Sequence, residues 1–244
     1  MSRPHKYLIV TLCVLLPLKA EAAFTLISSN SAEDDSSATT ISTTVAGITS
    51  GSLVVVCTGH IGGVVAGTIS DGNGNSATLA GTMSDTVNSL EIGWYLASSV
   101  SGSITYTATF ASSVPYRTIA VMAFSYTGTA SGDGFNTEGT LDTAVRTGAI
   151  TTVGTDDVAV ACMRSSFPMS GFLLGGLAPT TTIQPFSLAA MFYKPYSSAQ
   201  VGLEGTATAS DFGFNIAGIK AFKAVADAAG GPRGGTISIL DVGR

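Results

Sequence analysis

A short, almost unbroken apolar run rich in β-branched residues most constrains the fold of this chain. Ser52-Leu53-Val54-Val55-Val56-Cys57 follows Gly51, and such a run is typical of a strand that is buried on both faces. A second run, Asp157-Val158-Ala159-Val160-Ala161-Cys162, places a cysteine at the corresponding position. The pair predicts a two-fold repeat of strands within one β-sandwich.

The remaining strand signals support this repeat. Three later segments match segments of the first half in the same order: Ser187–Tyr193 with Ser89–Tyr95, Gly205–Ala209 with Tyr106–Phe110, and Ile216–Phe222 with Ile119–Phe124. A Gly-rich link, Thr127–Gly139, separates the two sets, and chance similarity between strands of simple composition is the alternative. Many short strands and no helical period predict an all-β, antiparallel two-sheet sandwich of the jelly-roll type.

The N-terminus predicts export. Residues 1–22 contain a positively charged start with Arg3 and Lys6, an apolar core, and the small-x-small pattern Ala20-Glu21-Ala22, which together form a secretory signal. An uncleaved N-terminal anchor is the alternative. The apolar core is shorter than the stretch of about 20 residues that a membrane-spanning helix needs, so we expect no transmembrane span in the mature chain.

The sandwich domain is expected to cover residues 23–229, and the character of the chain changes after it. Residues 230–244 contain a Gly/Pro-rich hinge, Gly230–Gly235, and then a lone apolar strand. The residues that would form this strand are Thr236, Ile237, Ile239, Leu240 and Val242. A detached strand of this kind folds back onto an edge of its own sheet or pairs with a neighbouring subunit.

Charge excludes one class of partner. Only 11% of the residues are charged and the formal net charge is −5, against the usual quarter of charged residues. No cluster of lysines and arginines is present, so nucleic-acid binding is not expected, because it requires neutralisation of phosphates. A surface so poor in charge is typical of contact with protein or sugar, or of incorporation into an assembly.

Two cysteines, Cys57 and Cys162, remain after the leader is removed. Their matching positions in the repeat and an oxidising compartment would allow a disulfide. The alternative is two buried thiols that pack as small apolar groups.

No catalytic constellation is recognisable. His60 is the only histidine outside the leader, and it is expected to lie in a surface loop rather than to act as a base. The chain has no Gly-x-Ser-x-Gly motif, and nothing places Glu91 and Glu204 together as an acid pair. The sequence therefore predicts a protein that is not an enzyme and that has no resident cofactor.

Two binding features remain as weaker candidates. Asp71, Asn73 and Asn75 place oxygen atoms at alternate positions, as at the start of a calcium loop, but the later glutamate is missing. A plain hairpin turn is the favoured interpretation. The tyrosines Tyr95, Tyr193 and Tyr196 are candidates for an exposed platform on which a sugar ring would stack, whereas Trp94 is expected in the core.

The order of these motifs resembles that of a known kind of module. The matching residues are Gly51–Val56, Asp71–Asn75, Trp94-Tyr95, Ser101–Thr107 and Ile119–Phe124. They are similar to β-sandwich modules of phage virion proteins, of the decoration and tail types, and of secreted bacterial surface proteins. The resemblance covers most of the chain from about Thr39, and it implies a structural or adhesive role without catalytic residues.

The sequence thus predicts a non-catalytic structural, decorating or adhesive protein of a virus particle or an extracellular assembly. The partners would be other copies of the chain or other protein subunits. The rival prediction is a secreted carbohydrate-binding module that uses surface aromatic residues and binds a glycan.

Overall fold

The computed structural model of the chain describes residues 24–62, 66–85, 87–96 and 98–225. Within these residues the chain forms fourteen strands and no helix. The strands of the first half are β1 Thr25–Asp34, β2 Ala38–Ile48, β3 Leu53–Ile61, β4 Ala66–Asp71, β5 Thr78–Ser84, β6 Asn88–Tyr95, β7 Gly102–Val114 and β8 Arg117–Ser125. The strands of the second half are β9 Thr129–Arg146, β10 Asp157–Ser165, β11 Met169–Leu174, β12 Thr181–Phe186, β13 Ala189–Tyr196 and β14 Gly205–Val225.

The strands form three antiparallel sheets. Sheet I has the order β1-β8-β3-β6-β5, and sheet II has the order β2-β7-β4. Sheet III has the order β11-β14-β10-β13-β12, with β9 also paired to β14. The predicted all-β, antiparallel class is confirmed, but the sandwich has three sheets where the sequence predicted two.

Sheet I is the middle layer, and both of its faces are buried. Leu53, Val55 and Cys57 of β3 point into the central core, which β10, β13 and β14 of sheet III complete. Val54 and Val56 point the other way, into a core shared with sheet II. The prediction that this apolar run is buried on both faces is confirmed. A third core covers the outer face of sheet III.

The two halves have the same strand topology. In sheet III, β9-β14-β10-β13-β12 repeats the order of sheet I, because β9 corresponds to β1 and the second part of β14 corresponds to β8. The end of β9, the start of β14 and β11 pair side by side, and they repeat the β2-β7-β4 order of sheet II. The registers also agree: Leu53 pairs with Phe124, and Val158 pairs with Phe222. The predicted Gly-rich link is therefore mostly strand, since β9 begins at Thr129.

One detail of the predicted repeat is wrong by a single residue. The pairing of β3 with β6 and of β10 with β13 makes Trp94 equivalent to Tyr193, and Tyr95 equivalent to Lys194. The sequence comparison instead matched Tyr95 with Tyr193, and so it placed both tyrosines on the same face of their strands. Because successive residues of a strand point to opposite faces, Tyr95 and Tyr193 lie in different cores.

A disulfide joins the two halves across the central core. Cys57 and Cys162 are 105 residues apart in the sequence, and their Cα atoms are 6.1 Å apart. They are equivalent residues of the two halves, as are Gly59 and Arg164, which are also in contact. At the sheet edges, β1 lies over β12 and β5 lies over β9. The halves are therefore related by an approximate two-fold axis that runs along the strands, between sheets I and III.

The described residues include no helix that is long and apolar enough to cross a membrane.

Candidate functional site

Both halves contain a two-stranded ribbon that turns from an inner sheet into an outer layer. In the first half, Asp34 pairs with Arg117 in sheet I, and Ala38 pairs with Val114 in sheet II. Pro115 and Tyr116 lie between those two pairings.

In the second half, the register of β9 with β14 shifts at the corresponding place. Ala144 pairs with Thr208 on one side of the shift, and Asp142 pairs with Gly213 on the other. Both bends lie at the same end of the molecule, because the two-fold axis runs along the strands. Binding residues usually lie on the loops and strand ends at one end of such a rigid scaffold.

Large apolar side chains are exposed at these bends. Tyr116 is 43% exposed, Phe212 57%, Phe214 37% and Leu141 53%. Leu141 and Phe214 face each other across the β9–β14 pairing. We call these four residues the corner surface. Concentrated apolar exposure of this kind is characteristic of contact sites, whereas single exposed apolar residues are ordinary.

Tyr116 and Phe214 occupy equivalent positions of the two halves. Gly59 pairs with Thr118 and the equivalent Arg164 pairs with Ile216, and Tyr116 and Phe214 each lie two residues before those partners. A short segment of β10 and the following loop connects them. Arg164 donates to the carbonyl oxygen of Tyr116 at 3.0 Å, and the backbone N–H of Ser166 donates to the carbonyl oxygen of Phe214 at 3.0 Å. The backbones that carry Tyr116 and Phe214 are therefore both held by the end of β10 and the loop after it.

The backbone of Tyr116 is strained. Its φ is +50°, and it is the only non-glycine residue with positive φ in the described part of the chain. A bulky residue rarely adopts this conformation, and where it persists the surrounding structure holds it. Here the hydrogen bond from Arg164 holds the carbonyl group, and the tyrosine is exposed at the bend.

A cleft of about 270 Å³ adjoins Tyr116. It is lined by Glu33, Asp34, Asp35, Tyr116, Arg117 and Thr118. Arg117 is 2% exposed and donates to the carboxylate of Asp34 at 2.6 Å and to the backbone oxygens of Ser36 and Thr40. Hydrogen bonds from Ser36, and then the charge of Arg117, hold the pKa of Asp34 below its usual value. The lining of the cleft thus combines three acidic residues, one of them paired with a buried arginine, and an aromatic residue.

A buried polar cluster supports the corner surface from below. Arg164 is fully buried and donates to the oxygens of Tyr116 and, at 3.5 Å, of Thr118. Burial lowers the pKa of Arg164 to about 10, and the charge of Asp85 opposes that shift, so Arg164 remains a cation at neutral pH. The side chain comes from the second half, and its partners come from the first.

Two further contacts extend this cluster. Thr58 donates to the buried carboxylate of Glu91. Asn88 donates from Nδ2 to the carbonyl oxygen of Phe214 at 3.1 Å. Buried polar groups of this kind are costly unless they are bonded, so this network specifies how the two halves meet at the corner.

His60 was expected in a surface loop, and this expectation is wrong. It is fully buried in β3, which continues to Ile61. Its ring packs edge-on against Phe110 with the centroids 4.8 Å apart, and Nδ1 lies 3.1 Å from the carbonyl oxygen of Ile61.

The predicted aromatic platform is also wrong, because its three tyrosines are separated and largely covered. Tyr95 lies between sheets I and II with its hydroxyl 3.2 Å from the oxygens of Ile69 and Asn75, and burial raises its pKa. Tyr193 is buried in the central core. Tyr196 packs against the third core and donates to a backbone oxygen, and burial raises its pKa to about 12. Trp94 is half-buried, and its ring faces the ammonium group of Lys220 at 4.8 Å.

The Asp71–Asn75 segment forms a tight turn, but the strands on either side belong to different sheets. Ser70 and Ser76 form a single bridge, after which β4 stays in sheet II and β5 joins sheet I. The carboxylate of Asp71 accepts from the backbone N–H groups of Asn73 and Asn75 at 2.9 Å and from Nδ2 of Asn75 at 2.8 Å. Within the described residues, no three His, Cys, Asp or Glu side chains come together in a group that could hold a metal ion.

We predict that Asp71→Ala lowers the free energy of unfolding by about 2 kcal/mol, because three backbone and amide donors lose their acceptor. Thermal melting measures the effect, and the exposed Asp211→Ala is the control. The same experiment tests calcium: equal melting temperatures of the unmodified protein in calcium and in chelator fit a turn held by its own hydrogen bonds. A rise with calcium that Asp71→Ala abolishes would instead establish a calcium site.

Two other predicted features lie outside the described residues. They are the leader or anchor at 1–22 and the hinge with the apolar strand at 230–244, including Thr236, Ile237, Ile239, Leu240 and Val242.

Comparison with known proteins adds no identity. No protein-family model matches the chain, and no curated protein is significantly similar to it.

Proposed function

We propose that the protein is a non-catalytic structural or adhesive protein that works outside a cell or on the surface of a virus particle. The single observation that carries this proposal is the corner surface, where Tyr116, Leu141, Phe212 and Phe214 are exposed together at one end of a rigid sandwich. Burying such a surface against a partner gains free energy in proportion to the apolar area removed from water.

Three features support the location and the role. The Cys57–Cys162 disulfide fits an oxidising compartment, as does the secretory pattern of residues 1–22. The charged fraction of 11% fits a surface that is covered by neighbours. The motif order resembles the β-sandwich modules of virion and secreted surface proteins. In this proposal the partners are other copies of the chain or other proteins.

A second function, carbohydrate binding, is favoured by the cleft beside Tyr116. An exposed aromatic ring next to Glu33, Asp35 and the Asp34–Arg117 pair offers a stacking face and hydrogen-bonding groups within one concave site. Sites for small ligands combine these elements. If the protein binds a glycan, Tyr116 takes the role that the sequence assigned to Tyr95, Tyr193 and Tyr196.

The test compares the corner surface with an apolar residue elsewhere. We predict that the unmodified protein forms multimers in light scattering and that Phe212→Ser with Phe214→Ser shifts it to single chains. The control is Val201→Ser, because Val201 is 88% exposed but lies outside the corner surface, and it should leave the multimers intact.

The outcomes separate the two functions. A monomer that binds glycans saturably on an array, and loses this binding with Tyr116→Ala, would replace the first function by the second. A monomer that binds neither glycans nor protein surfaces would contradict both.

A further inference from the structure

Strand β9 is the longest edge strand of the described part of the chain. It covers 18 residues, and β14 is the only strand that pairs with it among the described residues. Its other edge therefore presents a row of backbone donors and acceptors. Such an edge is a template on which another strand can add, and proteins usually shorten, bend or cover it.

The two ends of β9 differ in how well their inner face is covered. Near the start of β9, sheet I covers the strand: a Cβ atom placed on Gly81 of β5 would collide with the ring of Phe135. Near the end, sheet I has stopped, and Leu141 and Phe214 remain exposed on the same face. An added strand would thus find uncovered apolar side chains only at the corner surface.

We infer that this edge and the corner surface receive the apolar segment Thr236–Val242 from a second copy of the chain. This inference rests on the proposed assembly function and specifies its contact. In an extended segment Ile237 and Ile239 share one face, and this face would pack on Leu141 and Phe214. The backbone of the segment would pair with the free edge of β9.

Chain length favours a second copy over the segment's own sandwich. β14 ends at Val225, eleven residues beyond Phe214, and a strand of that length spans about 36 Å. The ten residues 226–235 reach at most about 35 Å when fully extended. The segment of the same chain would therefore have to run straight back with no slack, whereas the segment of a copy placed end to end arrives directly.

Charge favours the same contact. Arg117 and Arg164 near the corner surface are buried, while Asp142 and Asp211 are exposed beside it. The exposed arginine of β9, Arg146, lies further along the strand, where it pairs with Thr206. The segment contains one carboxylate, Asp241, and is flanked by two arginines, Arg233 before it and Arg244 after it. Opposite charges at the rim of a contact steer two copies together and set their register.

A contact of this kind joins two different surfaces of the same chain. Each copy would offer a segment at one end and receive one at the other, so the assembly is head-to-tail. If the rotation between copies does not close a ring, such an interface produces an open filament.

The test is a cross-link between differently substituted chains. One full-length chain carries Glu138→Cys on β9, and a second carries Ser238→Cys in the segment. After mixing and mild oxidation we expect a two-chain product that is at least tenfold more abundant than with Ser29→Cys, the matched control on the edge strand β1. A chain that carries Glu138→Cys and Ser238→Cys together, diluted until only intrachain contact is possible, should give no cross-link.

A second measurement needs no added cysteines and follows the size of the multimers. We expect Ile237→Asp with Ile239→Asp to reduce the multimers to single chains, as the corner substitutions Phe212→Ser with Phe214→Ser do. An intrachain cross-link, or multimers that survive the segment substitutions but not the corner substitutions, overturns this inference and leaves the proposed function standing. An unmodified protein that stays monomeric at every concentration overturns this inference, and it overturns the proposed function as well if it also binds no other protein surface.

Discussion

Replacing both Cys57 and Cys162 with alanine should lower the free energy of unfolding by about 4 to 5 kcal/mol. The bond closes a loop of 105 residues, and in the chain-entropy description a loop of about 100 residues is worth roughly 4.7 kcal/mol, because the unfolded chain loses conformations. The bond also lies inside the central core, where both cysteines are buried, so its removal leaves a small cavity as well.

Urea unfolding of the double variant and of the unmodified protein measures this difference. The matched control is the unmodified protein in a strong thiol reductant, which breaks the bond but keeps both sulfur atoms in the core. If the reduced protein and the double variant both unfold within about 1 kcal/mol of the oxidised protein, the bond has no stabilising role. If the double alanine variant is strongly destabilised and the reduced protein is not, the lost stability is due to the cavity.

The second large effect is expected at Arg164. Arg164→Met retains the buried stem of the side chain but removes the cation and its donors, so the carbonyl oxygen of Tyr116 loses its partner and the charge of Asp85 is no longer balanced. Breaking a buried charged contact by removing one partner typically costs about 3 kcal/mol or more. Because the same bond holds the backbone of Tyr116, hydrogen exchange at the amides of Tyr116 and Arg117 should also speed up.

The control is Arg146→Met, since Arg146 is an exposed arginine on β9, and surface substitutions of this kind usually change stability by less than about 0.5 kcal/mol. An Arg164→Met protein that unfolds at the same urea concentration as the unmodified protein would contradict the prediction. In that case methionine packs as well as the polar cluster does, as happens in some proteins when buried ions are replaced by apolar groups.

The sequence predicted the strands that are buried on both faces and the relation between them. The runs that end in Cys57 and Cys162 carry this information themselves, because a strand covered on two sides has no reason to alternate. They became β3 and β10, the central strands of the two inner sheets. Each cysteine therefore reached the central core in the same orientation.

The same reasoning failed for Tyr95 because alternation identifies the face but does not say what covers it. Tyr95 was assigned to solvent as the neighbour of a core tryptophan, yet it pairs with Val54 in the register of β3 with β6. Val54 belongs to the run that was already predicted to be buried on both faces. Applying that prediction to the neighbouring strand would have placed Tyr95 inside.

The corner surface could not be predicted from the local pattern. Phe214 continues the apolar face of β14, and Leu141 continues that of β9. The local sequence pattern therefore predicts that both side chains are buried in the core. They are exposed because sheet I ends before sheet III does, and that boundary depends on the length of strands distant in the sequence. For Tyr116 the only local signal was Pro115, which restricts the backbone at the bend.

The position of the disulfide has a consequence for how such a chain can arise. Equivalent sulfur atoms meet at the axis that relates the halves, so a molecule of half this length with one cysteine would form the same core as a cross-linked pair of identical chains. The halves are connected here through only Tyr126, Thr127 and Gly128. A short connection of this kind between two such molecules would therefore require no new contact at the axis, and the outer ends of the two halves, acidic beside Tyr116 and apolar around Phe214, could differ without changing it.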